Sequence, residues 1–252
     1  MAVIGIFDSG SGGLSVFREI RKVLPSCRYI YYSDNANCPY GEKTAEFIIE
    51  RSREITDMMI SKGAEVIVIA CNTATAAAIA TLRSEYDIPF IGMEPAVKPA
   101  ALGTKSGVIG VLATAGTLKA SKYLKTRGLF EDNVRIVEHV GQGFVELVES
   151  MELSGPHAEK VVSESLLPLL DEGADTVVLG CTHYPFLLPV MEKVTASSGR
   201  MARFIDPAPA VARRLVSVMK ERGISDVDAC PGTVLMASGK ADTLENIYSG
   251  IL

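Results

Sequence analysis

The sequence predicts an α/β protein of two pseudo-symmetric lobes, each a mainly parallel sheet flanked by helices, with the functional residues in the cleft between the lobes. Three observations carry this expectation. Short β-rich apolar runs alternate with longer helical patterns along the chain, as βαβ units require. The apolar runs are continuous, as from Val66 to Ile69, which suits strands covered on both faces. Finally, Gly63-Ala64-Glu65-Val66-Ile67-Val68-Ile69-Ala70-Cys71-Asn72-Thr73 is echoed without a gap by Gly173-Ala174-Asp175-Thr176-Val177-Val178-Leu179-Gly180-Cys181-Thr182-His183.

In chain order, the patterns predict strands at 2–7, 28–33, 65–70, 88–92, 107–112, 133–138, 175–180 and 202–205. Helices fall between them at 12–24, 43–61, 73–86, 94–102, 116–127, 143–152, 157–172, 184–196 and 206–221. Glycines and prolines punctuate most junctions. The tail from Val234 to Leu252 reads as an edge strand and a final helix. Two weaker echoes occur in the same order in both halves. Val3-Ile4-Gly5-Ile6-Phe7 resembles Val108-Ile109-Gly110-Val111-Leu112, and Phe90-Ile91 resembles Phe204-Ile205. The offset between the cysteine segments is 110 residues, too long for a solenoid repeat and suited to two related lobes. The second copy is complete near Asp206, so the remaining chain is expected to return to the first lobe. The expected domains are 1–95 plus 207–252 and 96–206.

At 252 residues with 48% apolar composition, the chain can bury a sizeable core. Net charge is -5 with no run of lysine or arginine, which argues against nucleic-acid binding. No apolar stretch reaches the ~18 residues of a membrane span. The start of the chain has no basic segment ahead of its first strand, so no secretory leader is expected. Five scattered cysteines with no CxxC pair point to free thiols in a reducing compartment, hence the cytoplasm. Oligomeric state is left open, a homodimer included.

The repeated cysteines dominate the chemistry. Cys71 and Cys181 each close a buried strand just before a helix. There, partly positive amide groups favour the thiolate over a thiol whose ordinary pKa is roughly 8.5. A thiol near neutrality serves as acid or base. Two of them at equivalent positions suit a reaction that takes a proton from one face of a carbon and returns one to the other. A single strand-end cysteine would more often be inert core; the repetition is what argues for function. Cys27, Cys38 and Cys230 lack repeat partners and read as structural. Asn72 and Thr73 follow the first thiol, and Thr182 and His183 the second. They serve as ordinary helix caps or as carboxylate ligands at free N–H groups. The turn Asp8-Ser9-Gly10-Ser11-Gly12-Gly13 can aim N–H groups at an anion. Asp8 is placed to accept a proton near Cys71 or to orient an ammonium group, and His183 to play the matching part beside Cys181. Thr114 also falls at the end of a strand. Pro39-Tyr40-Gly41 suggests a turn presenting a hydroxyl and an N–H.

Three other readings remain open at the level of residues. Gly10-x-Gly12-x-x-Ser15 nearly matches a dinucleotide fingerprint but lacks its third glycine. Cys71, Cys181 and His183 are a conceivable zinc set, although only Cys181-x-His183 is closely spaced. A two-lobed clamp that only binds an amino acid would need the helix starts but not the thiols.

Taken together, Phe7-Asp8-Ser9-Gly10-Ser11-Gly12-Gly13-Leu14, Asp34 with Pro39-Tyr40-Gly41, Ala70-Cys71-Asn72-Thr73-Ala74, Ala113-Thr114-Ala115-Gly116-Thr117 and Gly180-Cys181-Thr182-His183-Tyr184-Pro185 resemble the glutamate racemases of the cofactor-independent aspartate/glutamate racemase superfamily. The resemblance covers nearly the whole chain. It implies interconversion of L- and D-glutamate with no cofactor and no metal, and a supply of D-glutamate for bacterial peptidoglycan. It further implies that Cys71 takes the α-proton from D-glutamate and Cys181 from L-glutamate, with Asp8 and His183 assisting. Ser9, Tyr40, Gly41, Asn72, Thr73, Thr114, Thr117 and Thr182 would hold the substrate. Glu149 matches a family glutamate thought to help the second thiol. The stretch before it, His139-Val140-Gly141-Gln142-Gly143, departs from the family's bulkier Pro-containing pattern. With a short C-terminus, regulation through the tail is not expected.

Overall fold

The computed structural model describes residues 3–251, so Met1, Ala2 and Leu252, at the ends of the expected first strand and final helix, lie outside the described residues. Contacts divide the chain into two compact units, Met1–Met93 with Ala208–Leu252, and Glu94–Pro207.

The first unit runs β1 (Val3–Asp8), α1 (Leu14–Val23), β2 (Arg28–Ser33), α2 (Ala45–Ser61), β3 (Val66–Ile69), α3 (Asn72–Glu85) and β4 (Phe90–Gly92). The second comprises α4 (Val97–Gly103), β5 (Val108–Ala113), α5 (Ala115–Lys119), α6 (Ser121–Gly128), β6 (Arg135–Val140), α7 (Phe144–Glu149), α8 (Pro156–Asp171), β7 (Thr176–Gly180), α9 (Leu188–Ser197) and β8 (Arg203–Ile205). The chain then returns to the first unit with α10 (Ala208–Arg222), β9 (Gly232–Ala237) and α11 (Asp242–Ile251).

Both sheets are parallel throughout the described residues, in the orders β4-β3-β1-β2-β9 and β6-β5-β7-β8. The internal repeat extends to register. Ile4 pairs with Val66 as Ile109 pairs with Thr176. Ile67 pairs with Phe90 as Val177 pairs with Phe204, and Val3 with Arg28 as Val108 with Arg135. Both turns into the strand that precedes a repeated cysteine use a left-handed glycine, Gly63 at φ 89° and Gly173 at φ 90°, a conformation in which a side chain would be strained. β9 has no counterpart and forms the edge of the first sheet.

The inner strands β1, β3, β5 and β7 are buried on both faces, which explains their unbroken apolar runs. In the first unit, α2 and α3 pack together over Phe7, Ile67 and Ile69. On the opposite face α1 meets α10 and α11, with Phe17 edge-on to Tyr29 at 5.1 Å. The buried positions of α2, Ile48, Ser52, Ile55, Thr56 and Met59, recur at helical spacing. Thr44 caps its start by accepting from Phe47 N at 3.2 Å. In the second unit, α4 and α6 cover Ile109, Val111 and Val178, while α8 lies over β5 and β6 beside α9.

The structure departs from expectation where local chemistry interrupts a helix. The expected helix 116–127 breaks at Ala120, which is extended (ψ 134°), into α5 and α6. Helix 184–196 begins as a 3-10 turn over Tyr184–Leu187 before α9. In a regular helix begun at Tyr184, Pro189 would fall in the second turn, where it has no N–H to donate to Pro185 O. Helix 143–152 stops at Glu149.

One junction in the second unit yields a stability prediction. Asp175, just before β7, accepts from Thr104 Oγ1 (2.6 Å), Lys105 N (2.7 Å), Ser106 N (2.7 Å) and Thr176 Oγ1 (3.0 Å). Burial pushes its carboxyl up, but these bonds outweigh burial and bring the pKa down to about 2. A folded value below the unfolded one means the stabilisation is complete above the unfolded pKa and fades as pH falls toward 2. Asp175→Asn is therefore expected to cost about 1 kcal/mol at pH 7, at the low end because water reaches the carboxylate. The difference should shrink in urea titrations carried below about pH 4. A cost independent of pH would contradict this account.

Candidate active site

In the first unit, β1 and β3 are adjacent parallel strands, so their carboxyl ends deliver Asp8 and Cys71 to the same edge, where open α/β sheets bind ligands. Asp8 is fully buried. Its Oδ1 accepts from Ser9 N at 2.7 Å and its Oδ2 from Gly13 N at 2.5 Å, so the carboxylate organises the glycine-rich turn. Ser9 Oγ lies 3.4 Å from Asp8 Oδ1, and Cys71 Sγ lies 3.7 Å from Ser9 Oγ. Carboxylate, hydroxyl and thiol thus form a chain. Cys71 is the N-cap of α3, with extended backbone and a sulfur that accepts from Ala74 N at 3.4 Å. Asn72 and Thr73 follow it in the first turn, both buried. Neither polar atom of the Asn72 amide has a hydrogen-bond partner among the described residues. A buried amide without partners costs ~1–3 kcal/mol, which a ligand bearing polar groups would offset.

Beyond β2, Asp34 is fully buried and is gripped from several sides. Arg51 from α2 donates through Nη2 (2.8 Å) and Nε (3.1 Å), Tyr40 Oη at 2.6 Å, and Asn37 Nδ2 at 3.1 Å. Burial pushes the Asp34 carboxyl up, but the donors led by Arg51 and Tyr40 outweigh it and hold the pKa below the usual carboxylate value. Burial, the bond to Asp34 and the charges of Asp34 and Cys71 all drive the Tyr40 phenol far upward, so it remains a neutral donor. Gly41 follows in the same short 3-10 turn, after a cis Cys38–Pro39 bond. Sequence reading singled out Tyr40 and Gly41 but missed Arg51, which the fold delivers from the middle of a helix that otherwise reads as an amphipathic surface helix.

In the second unit, β7 ends at Gly180 and Cys181 follows, buried. Its Sγ lies 3.7 Å from His183 Nδ1, and His183 Nε2 lies 2.7 Å from Glu149 Oε1. The imidazole is almost fully enclosed, while Glu149 is half-buried. Thiol, imidazole and carboxylate form a second chain, in which the carboxylate fixes the ring's orientation. The departure at His139–Gly143 does not prevent this. A Cβ at Gly141 would collide with the Tyr184 ring and hydroxyl. Without one, Tyr184 donates to Gly141 O at 3.4 Å and packs edge-on against Phe144 at 5.0 Å. α7 is thereby seated so that its last residue reaches His183. Burial and the neighbouring Cys181 charge raise the Tyr184 phenol well above its ordinary value, so it too stays neutral. Thr114, at the end of β5, caps α5 by accepting from Thr117 N at 3.3 Å and lies 3.0 Å from Thr117 Oγ1. Thr182 is buried beside the thiol.

A family model described as Asp/Glu/Hydantoin racemase matches residues 4–215. The chain belongs to the Asp/Glu/Hydantoin racemase family. The protein is thus a racemase by membership, an enzyme of the isomerase class. It is 44% identical over 252 residues to glutamate racemase of Ectopseudomonas mendocina (strain ymp), covering 100% of this chain and 95% of that one. Among solved structures, Escherichia coli glutamate racemase in complex with L-glutamate and the activator UDP-MurNAc-ala superposes with a TM-score of 0.89. Identity is 34%, over 99% of this racemase and 95% of that chain. Glutamate racemase from Francisella tularensis subsp. tularensis SCHU S4 in complex with D-glutamate superposes with a TM-score of 0.83 at 27% identity, over 100% and 93% of the chains. The family fold is the expected one, two parallel sheets flanked by helices. No helix among the described residues is long and apolar enough to cross a membrane.

Proposed function

We propose that this racemase interconverts L- and D-glutamate by two-base proton transfer at Cα, with Cys71 and Cys181 as the bases. Cys71 takes the α-proton from D-glutamate and Cys181 from L-glutamate, and each protonates its own face in the reverse direction. The observation that carries the reading is the pairing of each thiol with its own polar chain, Cys71–Ser9–Asp8 in one unit and Cys181–His183–Glu149 in the other. The two thiols follow equivalent strands of a repeat that matches in register. The likeness to proteins named glutamate racemase supports glutamate as the substrate; aspartate is the second reading.

An amino acid's α-hydrogen is a poor acid, so a thiolate alone is not enough. Preorganised donors must meet the charge that develops on the substrate carboxylate as the proton leaves. Asn72, Thr73, Ser9 and the Tyr40–Gly41 turn are the donors on the Cys71 side, and Thr114, Thr117 and Thr182 those on the other. The lobes 1–95 plus 207–252 and 96–206 each supply one base. The thiols account for both proton transfers, so the reading calls for no cofactor. Its biological use is D-glutamate for peptidoglycan, made in the cytoplasm.

Turnover of L-glutamate in D2O, after removal of metal and pyridoxal phosphate, is expected to give D-glutamate labelled at Cα, with aspartate turned over far more slowly in the same assay. Product that retains the substrate hydrogen would exclude the two-thiol route. A preference for aspartate would favour the second reading.

A further inference from the structure

We propose that Arg51 is a positioning residue of the glutamate site, acting through Asp34 on the Tyr40–Gly41 turn; the inference rests on the glutamate-racemase reading above. Arg51 sits at the end of the second turn of α2, away from the strand ends that carry the chemistry. Its guanidinium nevertheless reaches inward to grip both oxygens of a carboxylate with no exposed surface. Its outer Nη1 pairs with Glu54, which keeps the fork aimed inward.

Fixing Asp34 matters because of what Asp34 holds in turn. The same Oδ2 that accepts from Arg51 Nε accepts from Tyr40 Oη at 2.6 Å, and Tyr40 is buried close enough to Cys71 to feel its charge. The residues just after β9 brace the preceding Asn35–Asn37 turn, since Ser238 Oγ accepts from Ala36 N at 3.0 Å and Gly239 N donates to Asn35 Oδ1 at 2.7 Å. If the guanidinium is removed, the buried carboxylate is left uncompensated and takes up a proton instead. A neutral carboxyl is a weaker acceptor than a carboxylate, so Tyr40 loses its anchor. Gly41, the next residue in the turn, then loses its fixed position toward the substrate. Lysine is a poor replacement, because an ammonium cannot make the two parallel bonds of a guanidinium.

The test is steady-state racemisation of L- and D-glutamate by the wild type, Arg51→Lys, Arg51→Met and the double variant Asp34→Asn/Arg51→Met, with melting temperatures measured in parallel. Misplacing a substrate-holding turn is expected to lower kcat/KM by about tenfold or more in Arg51→Met, chiefly through KM. Arg51→Lys should show a smaller loss of the same kind, and the double variant, whose neutral amide is as weak an acceptor for Tyr40 as the protonated carboxyl, should lose no more than Arg51→Met alone. If Arg51→Met does not fold, the KM of Arg51→Lys decides. A lowered melting temperature with wild-type KM and kcat in the folded variants would overturn the inference and leave the glutamate reading intact. A wild type that does not racemise glutamate would sink both.

Discussion

Cys181→Ala is expected to stop racemisation of glutamate while D-glutamate still exchanges its α-hydrogen with solvent; Cys71→Ala should show the mirror result, exchange of L-glutamate alone. Each thiol serves one face of the stereocentre. With one sulfur gone, the other can still take a proton from its own enantiomer. That thiol equilibrates with D2O and returns deuterium to the same face, giving label without inversion. General acid–base catalysis by a positioned group is worth ~10²–10⁴-fold, so inversion should fall by about 10³-fold. Cys71 also caps α3 through its bond from Ala74 N, so Cys71→Ala removes a cap and a base together. Cys71→Ser separates them. A serine oxygen is a favoured N-cap and should preserve the fold, but a hydroxyl is far too weak an acid to stand in for a thiol near neutral pH. Inversion should therefore fail in Cys71→Ser as completely as in Cys71→Ala, with near wild-type melting. Proton NMR of the Cα signal together with circular dichroism reads exchange and inversion in one experiment. Rapid inversion by any of these variants would remove that cysteine from the mechanism.

The parts of this site written locally in the sequence were legible, and those assembled by tertiary approach were not. Cys71 and Cys181 announced themselves because both end apolar runs of the same length. The fold preserves that equivalence down to the pairing of Ile4 with Val66 and Ile109 with Thr176. Strand 28–33 was readable to the residue because its neighbours are turn residues. The tail was readable as an edge strand and helix, but sequence alone did not show that β9 adds in parallel beside β2. The start of helix 184–196 differs because its apolar periodicity continues through a segment in which Pro189 breaks the regular hydrogen-bond ladder. Arg51 was invisible for a different reason. In sequence it lies among Glu50, Arg53 and Glu54, a charged run that ordinarily means solvated helix surface. Only the buried Asp34, 17 residues away, turns it inward. Glu149 entered through family resemblance, and nothing in its local sequence distinguishes it from Glu146. The bond to His183 does.

The Cys181–His183–Glu149 chain makes the second large prediction, and thermodynamics restricts what it can be. L- and D-glutamate have equal free energies in water, so the equilibrium constant is one. Every variant must therefore keep the same kcat/KM in both directions, and an assistant to one thiol cannot reveal itself as a one-sided loss of kcat/KM. His183→Asn, which removes the imidazole 3.7 Å from Cys181 Sγ, is expected to lower kcat/KM by about 10²-fold in each direction. The asymmetry lies in exchange. Starting from D-glutamate, Cys71 still removes the proton readily, but reprotonation by the unaided Cys181 is slow. The intermediate returns to Cys71 many times, so D-glutamate takes up deuterium faster than it inverts. Starting from L-glutamate, the slow step is the first one. Each intermediate that forms proceeds to product, so L-glutamate gains no label ahead of inversion. Glu149→Gln keeps an oxygen that can face His183 Nε2 but removes the charge that stabilises the ring when it is protonated. It should show the same one-sided exchange with a loss nearer tenfold, about 1.4 kcal/mol in barrier. Excess exchange of L-glutamate instead would assign His183 to the opposite thiol, and excess exchange of neither would confine the histidine to packing.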